Sequence, residues 1–265
     1  MPLSDSDRMS GIYQVSSPWP KEVKLYQPYD DVQILLADNA SVLSVQAYLR
    51  MCELDYTVVM KANAAEMSPS GKVPFIKAGK FLVAEMSPII AHVDSKGISL
   101  TDDLETGEKS DMRAHMTLVD NVFSNAENYI SWADELNYNN VTKFRHGCVH
   151  PWPLNGVLTW LKRREVLKKL KAYGYLNRTV QEVYDEVNKC CKTLSAKLED
   201  NQYFFGKLPT ELDALVFGHL FTILTTKLPC DGLASVVRKY QNLVDLCHCI
   251  DKEFFGHSSS MEDLS

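Results

Sequence analysis

The sequence lacks any long run of apolar residues. Its longest runs, such as residues 34–37, have the length of a strand and end at polar residues, whereas a membrane-spanning helix needs about 20 apolar residues. The first twenty residues also lack the basic start and apolar centre of a secretory signal and the Arg-rich, acid-poor composition of a mitochondrial presequence. We therefore expect a chain that does not cross a bilayer by itself and that remains in the cytosol after translation.

Positive charge is scarce as well. The chain has 28 Lys and Arg against 34 Asp and Glu, which gives a net charge of −6. No overall positive field is present to attract the phosphates of a nucleic acid, because that attraction depends on clustered Lys and Arg. We expect no nucleic-acid partner.

The cysteines favour neither a disulfide framework nor a metal site. Their number, seven, is odd, and the neighbours Cys190 and Cys191 cannot bridge easily, which favours reduced, buried thiols. Cys247 and Cys249 lie in a helical pattern and would point about 200° apart, so they cannot share a zinc ion. We expect no bound metal.

Recognisable catalytic motifs are also missing. The sequence contains no G-x-S-x-G, H-E-x-x-H, P-loop or dinucleotide fingerprint. His219 lies on the apolar face of a predicted helix, where the ordinary role is that of a hydrogen-bonded structural histidine. We therefore predict no catalytic residue and no cofactor.

The chain does contain enough apolar residues for a large core, 45% of 265, and its first half alternates strand and helix patterns. Residues 1–22 are predicted to be a polar tail and residues 32–37 a buried strand. Asp38 and Asn39 are then predicted to cap a helix. A second strand at residues 56–60 is close enough in sequence to lie parallel to the first.

A hairpin and a helix complete this half. Pro74 immediately precedes a third predicted strand, a glycine turn leads to a fourth at residues 81–84, and Ser87 is predicted to cap the helix that begins at Pro88. The order is βαβ followed by ββα, and we assign it to residues 23–98.

The second half has helical patterns only. Helices are predicted near residues 106–136, 156–173, 178–199, 210–228 and 232–255, with two prolines keeping residues 147–153 out of a helix. Thr210 and Asp213 are spaced to form a capping box at the start of the fourth of these helices. The predicted fold is therefore α+β, with an all-helical domain at residues 106–256 and a tail at 257–265.

The βαβ-ββα order with a Val73-Pro74 step resembles the thioredoxin-like domain of glutathione transferases, and the capped helix resembles their core helix. In that family the Val73-Pro74 bond would be cis, although an ordinary trans turn is an equally good interpretation of the sequence alone. The resemblance thus implies a glutathione-transferase-like fold for the whole chain.

The ligand site of that family is degenerate here. Its members place an acidic residue or Gln directly before a Ser that holds the γ-glutamyl carboxylate of glutathione, whereas this chain has Glu85 followed by Met86, which has no hydroxyl. Ser87 could compensate, and Ser41 lies where the family keeps a nucleophile, but helix capping is the ordinary role of both. The positions of the degenerate site are Ser41, Val73, Glu85, Met86 and Ser87.

Longer blocks narrow the resemblance to the metaxin family, and they follow one another along nearly the whole chain. They are residues 18–20, 34–41, 67–76, 151–155, 203–205 and 209–220. The resemblance implies a non-enzymatic protein, peripheral to the mitochondrial outer membrane at its cytosolic face. It also implies a role in assembling β-barrel proteins. The implied partners are a membrane-anchored metaxin-1-like protein, the β-barrel subunit of the sorting and assembly machinery, and the cristae-organising complex.

A basic segment offers a possible contact with lipid or with a partner. Arg164, Lys168 and Lys171 share one flank of a predicted helix, but Lys162 and Lys169 fall nearly opposite. This distribution favours a solvated face that touches a partner at its edge over a helix lying in a membrane surface. Two further hypotheses remain: a glutathione-dependent transferase that uses Ser41 and Ser87, and a stand-alone lipid-surface sensor.

Overall fold

A computed structural model describes residues 18–256 of the chain. The predicted tail at 257–265 lies outside the described residues, as does most of the predicted tail at 1–22. Residues 18–22 form no helix or strand.

A mixed four-stranded sheet forms the first half. Its strands are β1 (Val23–Gln27), β2 (Thr57–Met60), β3 (Phe75–Ala78) and β4 (Phe81–Ala84), in the spatial order β2-β1-β3-β4. β1 is parallel to β2 and antiparallel to β3, and β3 forms a hairpin with β4. Helices α1 (Leu36–Met51), α2 (Ala64–Met67) and α3 (Met86–Asp94) join and follow the strands. The βαβ-ββα order is confirmed.

The predicted strand at residues 32–37 is wrong. These residues make a turn, in which the backbone N–H of Ile34 donates to the carbonyl of Tyr29 at 2.9 Å, and α1 begins at Leu36. The carbonyl of Ile34 accepts a hydrogen bond from the Arg145 guanidinium at 2.9 Å. A side chain from the helical half thus satisfies this carbonyl, and the strand lies earlier, at Val23–Gln27.

The predicted caps of α1 are wrong for the same reason. Leu35 is the residue before the first turn of the helix, so Asp38 and Asn39 already lie inside it. The Asn39 amide instead donates to the Thr222 hydroxyl at 3.3 Å, in the second half of the chain.

The second half is helical, and among residues 18–256 no strand follows β4. Its helices are α4 (Thr106–Asn128), α5 (Glu135–Asn137), α6 (Lys143–Gly147), α7 (Leu154–Ala172), α8 (Val180–Leu198), α9 (Glu211–Thr225), α10 (Gly232–Val237) and α11 (Gln241–Ile250). π-Helical turns at Tyr129–Ala133, Tyr138–Thr142 and Asp251–Phe255 and a 3-10 turn at Tyr175–Asn177 complete it. The five predicted helical regions are all helical, although the first and the last are interrupted.

α9 is the central helix of the molecule, because it is buried on nearly every side and packs against α1, α4, α10 and α11. An α-helix that is apolar all round belongs in a core. Gly218 faces α1 at the closest approach, where an added methyl group would overlap Ser44 and the backbone of Ala40. The Ser44 hydroxyl donates to the carbonyls of Ala40 at 2.8 Å and Leu215 at 3.3 Å. This contact joins the two halves of the chain.

The cysteines are all free thiols, but they are not all buried. Cys190, Cys191 and Cys247 are buried, and burial raises the pKa of the Cys190 and Cys191 thiols to about 12. Cys148 and Cys230 are exposed, so the prediction of buried thiols is wrong for these two.

No helix within residues 18–256 combines the length and the apolar character that crossing a membrane requires.

Candidate functional site

The degenerate ligand site centres on the turn from β4 into α3. Glu85 occupies this turn with φ 72° and ψ 152°, a backbone region that residues with a side chain rarely adopt. Its backbone N–H donates to the carbonyl of Pro74 at 3.3 Å. The turn and the residue before β3 are therefore held against each other.

The peptide bond between Val73 and Pro74 is cis. Val73 itself is buried and lies just before β3. Among residues 18–256, nothing donates to its carbonyl or accepts from its backbone N–H. Next to the turn, Val73 thus has one backbone donor and one backbone acceptor without a partner among residues 18–256.

An ion pair between Lys72 and Glu85 spans the turn. The two side chains are 61% and 38% exposed, so the pair contributes at most about 1 kcal/mol to stability. The pair also matters for a ligand, because the Glu85 carboxylate engages the ammonium group of Lys72. An anionic ligand would have to displace that carboxylate.

Met86 is half-buried and packs against the hydrophobic core. It begins α3 and has no hydrogen-bond donor in its side chain. Ser87 is exposed and is the second residue of the helix, so the predicted capping role is wrong. Within the described residues the Ser87 hydroxyl makes no hydrogen bond, which leaves one free hydroxyl at the turn.

Ser41 is not a cap either. It lies in the second turn of α1, and its hydroxyl donates to the carbonyl of Ala37 at 2.9 Å. The hydroxyl is therefore engaged within its own helix, which leaves it poorly placed to stabilise a thiolate.

The strongest electrostatic feature lies elsewhere, between α4 and α9. Nδ1 of His219 is 2.8 Å from Oε1 of Glu127, and the two side chains are 2% and 0% exposed. Burial raises the pKa of Glu127 despite the neighbouring imidazole. For His219, burial opposes the charged form, but Glu127 outweighs it and raises the pKa. Because solvent and ligands cannot reach the pair, its role is structural.

Sequence reasoning placed His219 correctly as a hydrogen-bonded core histidine but missed Glu127. The available signal was a carboxylate within the apolar stripe of α4, beside Phe123 and Ala126, which are both buried. A buried carboxylate requires a partner of opposite charge or a hydrogen-bond donor.

Thr210 and Asp213 form the capping box at the start of α9. Oδ2 of Asp213 accepts from the Thr210 backbone N–H at 2.8 Å and from its hydroxyl at 2.7 Å. Oδ1 accepts from the Phe204 backbone N–H at 3.0 Å. Burial raises the pKa of Asp213 to about 6, even though these hydrogen bonds lower it. The carboxylate therefore ties the preceding loop to the core helix.

A cavity of only about 10 Å³ lies where α10 meets the start of α1 and the end of α9, and residues of the degenerate site do not line it. Small-molecule sites have volumes of about 300 to 1,000 Å³. Arg164, Lys168 and Lys171 are exposed on α7, an element separate from the degenerate site. The candidate residues therefore fall in four places: the second turn of α1, the turn before α3, the start of α9 and the outer side of α7.

Comparisons with known proteins agree with the fold described above. The profile of the glutathione S-transferase N-terminal domain matches residues 40–138, and that of the glutathione S-transferase C-terminal domain matches residues 187–250. The chain is 49% identical to Metaxin-2 of Mus musculus over 91% of both chains. It is 37% identical to the Metaxin-2 homolog of Caenorhabditis elegans, over 78% of this chain and 90% of that one.

More distant similarities extend the comparison. The chain is 28% identical to Metaxin-1 of Mus musculus, over 80% of this chain and 69% of that protein. A glutathione transferase structure from Populus trichocarpa superposes with a TM-score of 0.54 at 13% identity, covering 91% of this chain and 97% of that one. One from Actinobacillus pleuropneumoniae superposes with a TM-score of 0.52 at 15% identity, covering 91% and 92%. At such identities the solved structures show the fold alone, which is glutathione-transferase-like.

Proposed function

We propose the following function for this chain, which belongs to the metaxin family. It is a non-enzymatic subunit of the mitochondrial sorting and assembly machinery, peripheral to the outer membrane at its cytosolic face. There it supports the import and assembly of β-barrel proteins and the organisation of mitochondria. The observation that carries the proposal is the 49% identity with Metaxin-2 over 91% of both chains.

The degenerate site supports a role without catalysis. A glutathione transferase needs donors for the carboxylates of the tripeptide and a group that stabilises its thiolate. Here the Met86 side chain supplies no donor, Glu85 pairs with Lys72, and the Ser41 hydroxyl donates to the carbonyl of Ala37. The fold is retained while the site has lost the groups that its chemistry requires, and fold alone does not imply activity.

The proposed partners are proteins. A membrane-anchored metaxin-1-like chain holds this one at the outer membrane, and the β-barrel subunit of the machinery and the cristae-organising complex are its neighbours there. With 34 carboxylates against 28 basic residues, the chain has no general attraction for nucleic acid.

Extraction of mitochondria with alkaline carbonate tests the proposed placement. The chain should fractionate with mitochondria, leave the membrane in carbonate, and be lost from mitochondria when the metaxin-1-like partner is depleted. Cross-linking in intact mitochondria should join it to that partner. A chain that never co-purifies with mitochondria, or that remains in the lipid pellet without its partner, contradicts the proposal.

A second candidate, a glutathione-binding protein, is favoured by two observations at the turn. The Ser87 hydroxyl is exposed, and the Val73 backbone groups have no partner among residues 18–256. Calorimetric titration with glutathione separates the candidates. Micromolar binding that is abolished in Ser87→Ala supports the second. No binding by the native chain, together with gain of binding in Met86→Ser, supports the first.

A further inference from the structure

The outward side of α7 carries an unusual sequence of side chains. Within about 120° of the helix circumference, at 100° per residue, the first two turns present only apolar residues, and the later turns present three basic residues and the small Ala172. The apolar residues are Leu154, Val157, Trp160 and Leu161, which are 45%, 52%, 57% and 48% exposed. The basic residues are Arg164, Lys168 and Lys171, all exposed. We call these seven residues the α7 outer face.

The opposite side of α7 is anchored in the protein. Val166 and Leu170 are buried, and the Thr159 hydroxyl lies 2.9 Å from Nδ1 of His146. The Arg163 guanidinium donates to the carbonyl of Trp132 at 3.0 Å and lies over the ring of Tyr138. The helix therefore cannot turn its apolar residues inward, and the α7 outer face is a stable surface.

Two further lysines of α7 lie outside this basic group, and both form ion pairs with a glutamate. Lys162 and Lys169 lie beside the α7 outer face, and both pair with Glu165, at 3.4 Å and 2.6 Å. By contrast, within residues 18–256 no carboxylate lies within 4.0 Å of Arg164, Lys168 or Lys171. The α7 outer face itself contains no acidic residue, so its net charge is positive in a protein whose net charge is −6.

Two exposed tryptophans mark the apolar end. Trp152, two residues before α7, is 87% exposed, and Trp160 lies on the α7 outer face with the Arg164 guanidinium 5.7 Å from its ring centroid. Tryptophan is enriched at the boundary between lipid headgroups and acyl chains, because its ring is apolar and its indole N–H is polar. Basic residues adjoining such an apolar segment are attracted to anionic headgroups.

We propose that the α7 outer face docks directly on an anionic phospholipid bilayer. Trp152, Trp160 and the neighbouring aliphatic residues enter the headgroup region, while Arg164, Lys168 and Lys171 contact lipid phosphates. A second copy of this chain fits less well, because the face offers no carboxylate to pair with its own basic residues. The proposal deepens the proposed function, since it rests on a position at the outer membrane, and it adds a lipid contact made by this chain itself.

Vesicle flotation with the purified full chain tests this contact without any partner protein. Vesicles contain phosphatidylcholine and phosphatidylethanolamine, with or without about one fifth cardiolipin. The chain should float with cardiolipin vesicles only, and the bound fraction should fall when salt is raised, because surface charges are screened. Quenching of tryptophan fluorescence by brominated lipid should accompany binding.

Matched variants assign the contact to the α7 outer face. The triple variant Arg164→Glu, Lys168→Glu, Lys171→Glu should lower the partition coefficient at least about a hundredfold. Reversal of Lys189, Lys192 and Lys239, which are exposed outside α7, makes the same change of net charge and should have a much smaller effect. Trp160→Ser with Leu161→Ser should lower the bound fraction and leave only the quenching of Trp152, while Leu82→Ser with Leu208→Ser, also exposed, should leave the bound fraction unchanged.

Several outcomes contradict the proposal. One is that the chain does not float although cooperative unfolding in urea shows that it is folded. Another is that it binds neutral vesicles as well as cardiolipin vesicles. A third is that the control variants lose as much binding as the variants of the α7 outer face. A dimer in sedimentation that Trp160→Ser with Leu161→Ser dissociates would assign the face to a second copy. If flotation fails while the chain still cross-links to its metaxin-1-like partner in mitochondria, only the lipid contact is wrong. If flotation succeeds but the cross-link is not found, the lipid contact stands and only the proposed assembly role is wrong.

Discussion

The imidazole of His219 and the carboxylate of Glu127 form a buried ion pair, with Nδ1 2.8 Å from Oε1, which joins the central helix α9 to α4. The ring of Phe123 stacks on the imidazole with 5.6 Å between centroids. Both members of the pair have a raised pKa, Glu127 because of burial and His219 because Glu127 outweighs burial. The folded protein thus holds protons at this pair more tightly than the unfolded chain.

The contribution of this pair to the free energy of unfolding should decrease as the pH rises. Folded pKa values above the ordinary 4.5 and 6.5 mean that the stabilisation is fully present below the unfolded values and is lost as the pH rises through the folded ones. In Glu127→Gln, burial instead favours neutral His219. We expect a penalty in the free energy of unfolding of about 3 kcal/mol at pH 5.5 that shrinks toward pH 8, measured by urea unfolding.

Glu165→Gln serves as the control for that experiment, because Glu165 pairs with Lys169 on the surface and is 49% exposed. Its penalty should remain below about 1 kcal/mol and should not change between pH 5.5 and 8. A Glu127→Gln penalty that is constant over this range would show that the pair does not titrate as described.

Gly218→Ala should separate α1 from α9. The added methyl group would overlap Ser44 and the Ala40 backbone, and a packed interior yields little, so a loss of about 3 kcal/mol is expected. Gly156→Ala, in a helix with open space around the new methyl group, should instead raise stability by up to about 1 kcal/mol. Similar urea midpoints for the two variants would contradict the close contact of the helices.

Asp213→Ala should be more harmful than the loss of an ordinary helix cap. Two backbone N–H groups and one hydroxyl lose their acceptor in buried surroundings, which predicts a loss of about 3 to 4 kcal/mol. Glu182→Ala removes the corresponding residue of the exposed capping box of α8 and should cost much less. Equal shifts in the thermal unfolding midpoint would argue against the role of the Phe204 hydrogen bond.

Glu85→Gly should stabilise the protein, although it removes the ion pair with Lys72. Relief of a backbone conformation with φ 72° outweighs both the lost surface pair and the greater flexibility of unfolded glycine, for a net gain of about 1 kcal/mol. Glu85→Ala retains the Cβ atom and should gain nothing. If alanine and glycine behave alike in urea unfolding, the turn is not strained.

The order of elements was predictable from sequence because it rests on local patterns. Paired strand runs around Gly79, a proline before β3 and long amphipathic stretches from residue 106 onward are each visible within a few residues. The Thr210 and Asp213 capping box has the same local character. The prediction of a glutathione-transferase-like fold rested on the resemblance of these patterns to that family.

The errors arose where a distant contact overrode a local pattern. Residues 34–37 are as apolar as a strand, but the Ile34 carbonyl is bound by Arg145. β1 has the alternation of a strand, with Val23 and Leu25 buried and Lys24 exposed, and its weaker apolar run concealed it. Because α1 begins at Leu36, Ser41 lies inside the helix and cannot cap it. Glu127 and His219 are 92 residues apart, and no local rule pairs them.

The contact between α1 and α9 also sets the order in which the protein can be completed during synthesis. The Ser44 hydroxyl and the Leu215 carbonyl are separated by 171 residues. At about 5 to 20 residues per second, the ribosome delivers α9 on the order of ten seconds after α1. Until then the side of α1 that packs against α9 has no permanent cover, so a nascent chain stalled before α9 should be a preferred client of ribosome-associated chaperones.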